Sequence, residues 1–274
     1  MSTKYVFLDI DGTLVGADGK VPDSAVEAIR RARENGHKIF ICSGRCRCEM
    51  HENILCVPLD GIVGSAGAYV EIDGRVIFHR SMTEEMNARL LDYFLSRGMA
   101  ILLETNGELY GNDVAIRYMQ ENADYCEANG LPYDKPLYDL VQPLADVQEP
   151  AKLAVNKLIY ITKKYDPEEV RRDLGEEFTV VDSAIDMPGN SGEVSEIGMH
   201  KGVGIETAIW YYGADMADTI GIGDGENDMG MLRACAVGIA MGNANPILKE
   251  IADYETSAVG EDGIKNAFLH YGLI

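Results

Sequence analysis

The chain has 274 residues, and its composition, 46% hydrophobic and 25% charged, is that of an ordinary globular protein. This composition excludes a disordered chain, a collagen-like fibre and a disulfide-rich miniprotein. Asp and Glu number 45 against 24 Lys and Arg, which gives a formal net charge of −21. Such a chain repels nucleic-acid phosphates and anionic membrane surfaces, so we expect neither as a partner. A small phosphorylated substrate stays compatible with this charge if a metal and local cations offset it.

The N-terminal apolar run and the cysteines bear on where the protein resides. Residues 5–8 form a run too short for a secretory signal, and no stretch approaches the roughly 20 apolar residues of a membrane span. We therefore expect a cytoplasmic protein, either a monomer or a homodimer, whose six cysteines are reduced thiols. Cys46, Cys48, His51 and Cys56 could hold zinc, but their spacing lacks the C-x₂₋₄-C pairs of structural sites. Surface or half-buried thiols are the favoured interpretation.

Strand and helix patterns alternate at both ends of the chain, which predicts an α/β fold with a Rossmann-like, mostly parallel sheet. The predicted elements of this core are strand 5–10, a helix from Asp23 or Ser24 to Gly36, strands 38–42 and 62–63, helix 200–212, strand 219–222, helix 227–234, strand 237–240 and helix 246–252. Asp73-Gly74 separates strand 69–72 from strand 76–78, and this dipeptide is typical of a type I′ hairpin turn, which needs positive φ at both positions.

A second pattern begins near Met82 and predicts an α+β insert. Its predicted elements are a helix capped by Thr83 and running to Arg97, strands 100–104 and 109–110 joined across Asn106-Gly107, strand 157–162, helix 167–174 started by Asp166, and strands 178–181 and 184–187. Residues 113–150 are mixed, and Gly189–Gly192 is the favoured linker back to the core. The predicted bounds are 1–81 and 190–274 for the core domain and 82–189 for an inserted cap domain.

An acidic motif, Asp9-Ile10-Asp11-Gly12-Thr13-Leu14, directly follows the first strand. Ligands of open α/β sheets bind beyond the carboxyl ends of the strands, and strand residues two apart point the same way, so Asp9 and Asp11 should converge there. When two carboxylates lie close together, one can hold a proton while the other stays ionised, which suits a general acid beside a nucleophile. The simpler interpretation is an acidic turn after a strand.

A second acidic motif, Gly223-Asp224-Gly225-Glu226-Asn227-Asp228, follows the predicted strand 219–222. Acidic loops at the ends of two strands make an oxygen-rich pocket of the kind that Mg²⁺ prefers. The simpler interpretation is a helix N-cap formed by Asn227 or Asp228. Both interpretations can hold, because a helix N-terminus also favours anions.

Two further stretches can bind phosphate. Ser43-Gly44-Arg45 follows the second strand, where a hydroxyl and backbone N–H groups can cradle an anion. Lys201 stands at the start of a predicted helix, where a cation is unfavourable for the helix dipole, and this indicates an anionic partner. Taken alone, the first stretch is ordinary turn chemistry and the second an ordinary surface lysine.

In their order along the chain, these four stretches resemble the haloacid dehalogenase-like hydrolases, and within them the Cof-type phosphatases, whose α+β cap is inserted between the second and third motifs. Residues 9–14 fit D-x-D-G-T-L, Ser43 fits the Ser/Thr of the second motif, Lys201 fits the third-motif lysine, residues 223–228 with Met231-Leu232 fit G-D-x-x-N-D…M-L, and residues 241–244 fit M-G-N-A. Ala66-Gly67-Ala68 departs from the common Asn-Gly-Ala and lacks its side-chain amide.

The resemblance implies an Mg²⁺-dependent phosphatase that hydrolyses a small phosphorylated metabolite, such as a sugar phosphate, through an aspartyl-phosphate. Asp9 would attack phosphorus, and Asp11 would protonate the leaving alkoxide and then deprotonate the hydrolytic water. The metal would be held by Asp9, the Asp11 backbone carbonyl and Asp224, with Asp228 either a ligand or a support for the ligands. The residues implied to bind phosphate or substrate, or to support the loop that does, are Ser43, Gly44, Arg45, Lys201 and Asn227. The cap would close over the site.

Three alternatives stay open. A mutase or phosphotransferase of the same superfamily would transfer the phosphoryl group to a second substrate instead of water. A non-catalytic binding protein on the same fold is disfavoured by the intact Asp9, Asp11, Lys201 and Asp224. A dinucleotide-binding protein is disfavoured because no G-x-G-x-x-G follows the first strand.

Overall fold

The computed structural model describes residues 2–131, 133, 135–182 and 190–274. The described residues divide into two compact units. The first unit lies within Met1–Arg45, Met50–His79 and His200–Ile274, and the second lies within Cys46–Glu49 and Arg80–Met199. Across the described ranges, no helix is both long and apolar enough to cross a membrane.

Strands and helices alternate through most of the first unit and are mixed in the second. In the described residues the strands are β1 Tyr5–Leu8, β2 Lys38–Cys42, β3 Gly61–Gly64, β4 Tyr69–Ile72, β5 Arg75–His79, β6 Ala100–Thr105, β7 Leu109–Gly111, β8 Val141–Pro143, β9 Val155–Thr162, β10 Phe178–Asp182, β11 Asn190–Glu196, β12 Thr219–Gly223, β13 Val237–Ala240 and β14 Tyr254–Glu255. The α-helices are α1 Asp23–Glu34, α2 Glu52–Leu55, α3 Glu84–Ser96, α4 Asp113–Asn129, α5 Lys135–Leu140, α6 Pro167–Leu174, α7 Lys201–Tyr212, α8 Met229–Ala234, α9 Pro246–Ile251 and α10 Gly263–His270.

The first unit is built on an eight-stranded sheet in the order β14–β13–β12–β1–β2–β3–β4–β5. The six strands from β14 to β3 are parallel, and β4 and β5 are antiparallel additions. Both β1 and β12 are buried along their whole length, as expected of central strands covered on both faces. Helix α1 packs on β2 and buries Ala25, Ala28, Ile29 and Ala32, the spacing of one helix face. The predicted α/β class is confirmed.

The second unit contains a six-stranded sheet in the order β10–β11–β9–β6–β7–β8. Its pairs are antiparallel except for β7 with β8. All eight residues of β9 are buried, and its Tyr160 ring stacks on Phe94 of α3 with the ring centroids 5.2 Å apart. These elements are the α+β insert that the sequence pattern predicts.

Local signals that act through backbone geometry are confirmed. Asp73 and Gly74 have φ of 50° and 73° between β4 and β5, as a type I′ turn requires. The Thr83 hydroxyl accepts a hydrogen bond from the Met86 amide at 3.2 Å and caps α3. The predicted cap on α1 is wrong, because the helix begins at Asp23 with Pro22 in the N-cap position and no side-chain cap.

The boundaries of the insert differ from the predicted ones. Residues 190–196 were assigned to the core, but they form β11, which pairs antiparallel with β9 and β10 and therefore belongs to the second unit. The first unit resumes only at His200. Within the predicted linker, Asn190–Gly192 is strand, while Gly189 lies outside the described residues, as does the predicted strand 184–187.

The largest missed element is α4, a 17-residue helix in the stretch predicted to be mixed. Asn112 caps it by accepting a hydrogen bond from the Ala115 amide, and Gly130 ends it with φ of 64°. Its buried stripe is Ala115, Met119, Ala123 and Cys126. Because two of these four side chains are alanine, the apolar periodicity is weak and the sequence pattern does not reveal the helix.

Candidate active site

The candidate site lies at the point in the first sheet from which the strand order runs outward in both directions. The chain moves from β1 through β2 to β3 on one side of the sheet, and from β12 through β13 to β14 on the other. Adjacent parallel strands β1 and β12 therefore form a topological switch point, where ligands of open α/β sheets bind. Asp9 is the first residue after β1, and Asp224 is the first residue after β12.

A buried lysine joins two of the carboxylates. The Lys201 ammonium, at the first residue of α7, donates to Asp9 Oδ1 at 2.6 Å and to Asp228 Oδ1. Lys201 is 3% exposed, Asp9 is 4% exposed and Asp228 is fully buried. A buried charge needs a partner, and here one ammonium serves two carboxylates from different loops.

Asp228 also shapes the loop that contains Asp224. Its Oδ2 accepts hydrogen bonds from the backbone amides of Asp224 and Gly225, both at 3.0 Å. Because one oxygen of Asp228 receives two amides and the other receives the Lys201 ammonium, this carboxylate holds the loop and the lysine in place. It has little remaining capacity to bind another group.

The loops after β1 and β12 approach each other closely at Gly12. This glycine has φ of +79°, and a Cβ there would lie 2.2 Å from the Asp224 Oδ2. Only glycine fits this position, since both the backbone conformation and the space exclude a side chain. The Thr13 hydroxyl donates to Asp224 Oδ1 at 3.1 Å and fixes the Asp224 carboxylate against the first loop.

Asp11 is bound by arginine instead of joining the buried carboxylates. Arg45 donates from Nε and Nη2 to the two Asp11 oxygens, each at 2.8 Å, which is the bidentate arrangement. The Arg45 amide in turn donates to the Ser43 hydroxyl at 3.2 Å. Ser43 is buried directly after β2, so this chain of contacts connects the end of β2 with the loop after β1.

Burial sets the protonation of the acidic groups. Burial raises the pKa of Asp9 to about 7, with the nearby Asp228 charge adding to the rise and the Lys201 ammonium opposing it. Burial and the Asp228 charge raise the pKa of Asp224 to about 6. Burial disfavours the charged form of Lys201, but the charges of Asp9 and Asp228 outweigh it and raise the lysine pKa above its ordinary value.

The donor set fits a hard divalent cation. Carboxylate oxygens of Asp9, Asp224 and Asp228 all lie within 4.8 Å of one another. Oxygen ligands with several negative charges are what Mg²⁺ requires. The residues that could hold the metal are therefore Asp9 and Asp224, supported by Asp228.

The structure brings together most of the residues predicted from sequence, but not all. Asp9, Asp224, Asp228 and Lys201 form one cluster. Besides burial, the Asp11 charge contributes to the raised pKa of Asp9, so the two carboxylates lie in the same region, but the exposed Asp11 carboxylate is bound by Arg45 and not by the buried cluster.

The other two predicted residues lie at the surface of their loops. Asn227 is exposed. Gly44 is half-buried, and a Cβ there would meet no described atom within 4 Å. Packing therefore does not explain the glycine at this position, and the open space above its backbone could receive an anion.

Sequence reasoning gave no role to two residues that support the site. Thr13 orients Asp224, as described above, and Asn243 donates to the Gly12 carbonyl at 2.8 Å while accepting from the Val259 amide at 2.9 Å. Both residues lie in stretches that resemble family motifs, and this resemblance is the feature of the sequence that could have indicated their roles. Ala66, the departure from the common motif, has φ of 51° and so occupies the left-handed region that asparagine tolerates better than alanine.

Comparison with known proteins identifies relatives over the whole chain. The family model described as haloacid dehalogenase-like hydrolase matches residues 6–268. YkrA of Bacillus subtilis is 28% identical over 100% of both chains. The 5-amino-6-(5-phospho-D-ribitylamino)uracil phosphatase YitU, also of Bacillus subtilis, is 26% identical over 99% of each chain. Among solved structures, the subclass IIB sugar phosphatase BT4131 superposes with a TM-score of 0.79 at 26% identity, covering 99% of this chain and 100% of that one.

The raised pKa of Asp9 predicts a pH-dependent effect of the substitution Asp9→Asn on stability. Between about pH 4 and pH 7 the folded protein keeps a proton on Asp9 that the unfolded chain has released, so Asp9 lowers the free energy of unfolding as pH rises through this window. In urea unfolding with EDTA present, the free energy of unfolding of Asp9→Asn should increase relative to that of the wild type as the pH rises from about 5 to about 8. A difference in stability between Asp9→Asn and the wild type that does not change with pH would contradict the raised pKa of Asp9.

Proposed function

Because this chain belongs to the haloacid dehalogenase-like hydrolases, we propose that it hydrolyses a small phosphorylated metabolite through an aspartyl-phosphate formed on Asp9, with Mg²⁺ bound beside it. Its relatives support phosphatase activity on phosphoric monoesters, since YitU and BT4131 are both named phosphatases. The observation that carries the proposal is the buried Asp9–Lys201–Asp228 cluster beside Asp224 at the switch point of the sheet.

Asp9 is the group best suited to attack phosphorus. Its Oδ1 accepts from Lys201, which fixes the carboxylate orientation and leaves Oδ2 as the attacking oxygen. The Asp9 backbone amide donates to the Ile222 carbonyl at 3.0 Å, so the residue is anchored to β12 and not on a freely moving loop. In the reaction a bond forms between Asp9 and phosphorus, the ester P–O bond breaks, and the alkoxide leaves.

Asp11 and Arg45 complete the chemistry at the exposed side of the site. Asp11 is the accessible carboxyl group, so it can give a proton to the leaving oxygen and later take one from water. Arg45 donates two hydrogen bonds to Asp11, from its Nε and Nη2 atoms. A phosphate oxyanion accepts the same bidentate pair, so substrate binding would draw Arg45 from Asp11 and free that carboxyl group for proton transfer.

The remaining residues bind the phosphate and the metal. Ser43 offers its hydroxyl proton, Gly44 an approachable backbone, and Lys201 its positive charge, while Asn227 lies exposed on the loop after β12 where it can support substrate. Asp9 and Asp224 would hold Mg²⁺, together with the Asp11 carbonyl. The metal, when bound, offsets the repulsion between the carboxylate nucleophile and the anionic substrate.

The second unit is proposed as the cap that selects the substrate. Every residue assigned to the four motifs lies in the first unit, so the insert is not required to supply a group for phosphoryl transfer. Substrate selection by a separate unit would let one catalytic apparatus serve different phosphate esters.

Replacing the nucleophile tests the proposal first. Asp9→Asn should lower kcat for p-nitrophenyl phosphate by about 10⁴-fold or more, because an amide side chain cannot form the aspartyl-phosphate. The matched Asp18→Asn, at an exposed position in the loop that follows, should retain wild-type kcat. Circular dichroism verifies that both variants are folded. Substantial turnover by folded Asp9→Asn would refute the nucleophile assignment.

Metal dependence tests the second half of the proposal. Dialysis against EDTA should abolish phosphate release, and Mg²⁺ should restore it. Ca²⁺ should restore it poorly, because it prefers a higher and looser coordination than Mg²⁺ does. Asp224→Asn should need a higher Mg²⁺ concentration for half-maximal activity, whereas full activity of the chelated wild type would disprove the metal site.

A further inference from the structure

Two cysteines lie in contact immediately after the substrate-binding arginine. Cys46 and Cys48 flank Arg47, and their sulfur atoms are 3.3 Å apart. The six cysteines of the chain all lie in described ranges, and none is in a disulfide. This pair belongs to the second unit, whereas Arg45 and Met50 on either side belong to the first. The function proposed above makes no use of either thiol.

The two thiols differ in the way a reactive pair requires. Cys46 is fully buried, and Cys48 is half-buried and so accessible to a small reagent. The contact between the two sulfurs, in which either thiol can be the donor, lowers the pKa of Cys48, and this increases the thiolate fraction of the more accessible sulfur. Cys48 is therefore the nucleophile of the pair, and Cys46 is in position to react with it next.

Backbone geometry permits the two sulfurs to bond. Cα atoms of residues two apart are separated by at most about 7 Å, and by less in a tight turn such as the 3-10 turn at Arg47–Glu49. Disulfides span Cα separations of about 4.4–6.8 Å. The sulfurs need to approach by little more than 1 Å, from 3.3 Å to the bonded distance of about 2 Å.

The surroundings favour a disulfide over a metal site, although Cys46 lies within 4.8 Å of carboxylate oxygens of the buried Glu49 and Glu104. Two thiolates on a tetrahedral zinc are about 3.7 Å apart, farther than this pair. A metal is not needed to compensate these carboxylates, because the Lys157 ammonium lies 3.3 Å from Glu104 and 3.0 Å from Glu193. Glu49 accepts a hydrogen bond from the Cys46 amide at 2.6 Å, so one of its carboxylate oxygens is already engaged.

We propose that Cys46 and Cys48 are a redox modification site that forms a reversible disulfide on reaction with hydrogen peroxide. The Cys48 thiolate attacks one peroxide oxygen, the O–O bond breaks, and water leaves after protonation to give a sulfenic acid. The Cys46 sulfur then attacks the Cys48 sulfur, its proton goes to the departing hydroxyl oxygen, and the S–O bond breaks with loss of a second water. Two thiols and one peroxide thus give one disulfide and two waters, and the sulfurs lose the two electrons that the peroxide gains.

The bond would act on the candidate active site through the chain itself. The ring that it closes begins one residue after Arg45, whose amide donates to Ser43 and whose carbonyl accepts from the Ser65 amide at 2.8 Å. Closing a small ring turns the backbone at Cys46 and shifts the Arg45 guanidinium from its position on Asp11. This consequence, which rests on the proposed function, is weaker phosphate binding in the oxidised protein. A strained disulfide is also easily reduced, so the change is reversible.

Tryptic peptide mapping detects the disulfide directly. Trypsin cleaves after Arg45 and Arg47 and next after Arg75, so it separates the dipeptide Cys46-Arg47 from the peptide Cys48–Arg75 unless a disulfide joins them. Full-length protein is treated with peroxide, its remaining thiols are alkylated under denaturing conditions, and the digest is analysed by mass spectrometry. We expect the joined pair in oxidised protein and its disappearance after treatment with dithiothreitol.

Cysteine variants identify the partners. Cys56 lies in the same tryptic peptide, so Cys56→Ser should still give the joined pair, and Cys48→Ser should not. A joined pair that survives in Cys48→Ser, or a Cys48 oxidised to sulfinic acid with Cys46 unmodified, would overturn the proposal.

Kinetics separates the regulatory step from the proposed function. The reduced protein is assayed first on p-nitrophenyl phosphate, and absence of turnover there would refute the proposed function while the mass spectrum still decides the disulfide. In the oxidised wild type we expect a several-fold higher KM, absent from peroxide-treated Cys48→Ser and reversed by dithiothreitol. An unchanged KM in fully oxidised protein would overturn the link to Arg45.

Discussion

The burial of one ammonium between two carboxylates is the constraint from which the rest of the site follows. Lys201 is buried with Asp9 and Asp228, which come from three separate segments of the chain, so the three segments must meet for any of these charges to be compensated. Removing both carboxylates would leave the Lys201 charge buried and unpaired, and an unpaired buried charge destabilises a fold by about 3–5 kcal/mol. The ion cluster is therefore needed for folding as well as for the proposed reaction.

The same cluster brings three carboxylates close together, and their charges repel one another. One ammonium cannot neutralise Asp9, Asp224 and Asp228 together. Burial, with the nearby Asp228 charge adding to it, raises the pKa of Asp9 to about 7 and that of Asp224 to about 6. A divalent cation would supply the missing charge. The close approach at Gly12 and the Thr13 hydrogen bond keep Asp224 beside the first loop.

The sequence predicted what depends on local chemistry, and it failed where distant segments decide. The positions of the core strands and the Asp73-Gly74 turn follow from short-range signals, and these are confirmed, although β1 ends at Leu8 and not at Ile10. The pairing of Asp11 with Arg45 requires knowledge of how two loops meet, and the membership of β11 in the second sheet requires knowledge of its partner strands. Helix α4 was missed because small residues form much of its buried face.

The central claim, that Asp9 receives the phosphoryl group, can be measured directly. With Asp11→Asn the hydrolytic water lacks its base, so an aspartyl-phosphate should accumulate when this variant is mixed with Mg²⁺ and excess p-nitrophenyl phosphate and quenched in acid. Trypsin releases Asp9 in the peptide Tyr5–Lys20, and mass spectrometry should find one phosphoryl group on that residue. A phosphoryl group on another residue, or none while p-nitrophenol is released in a burst, would contradict the account.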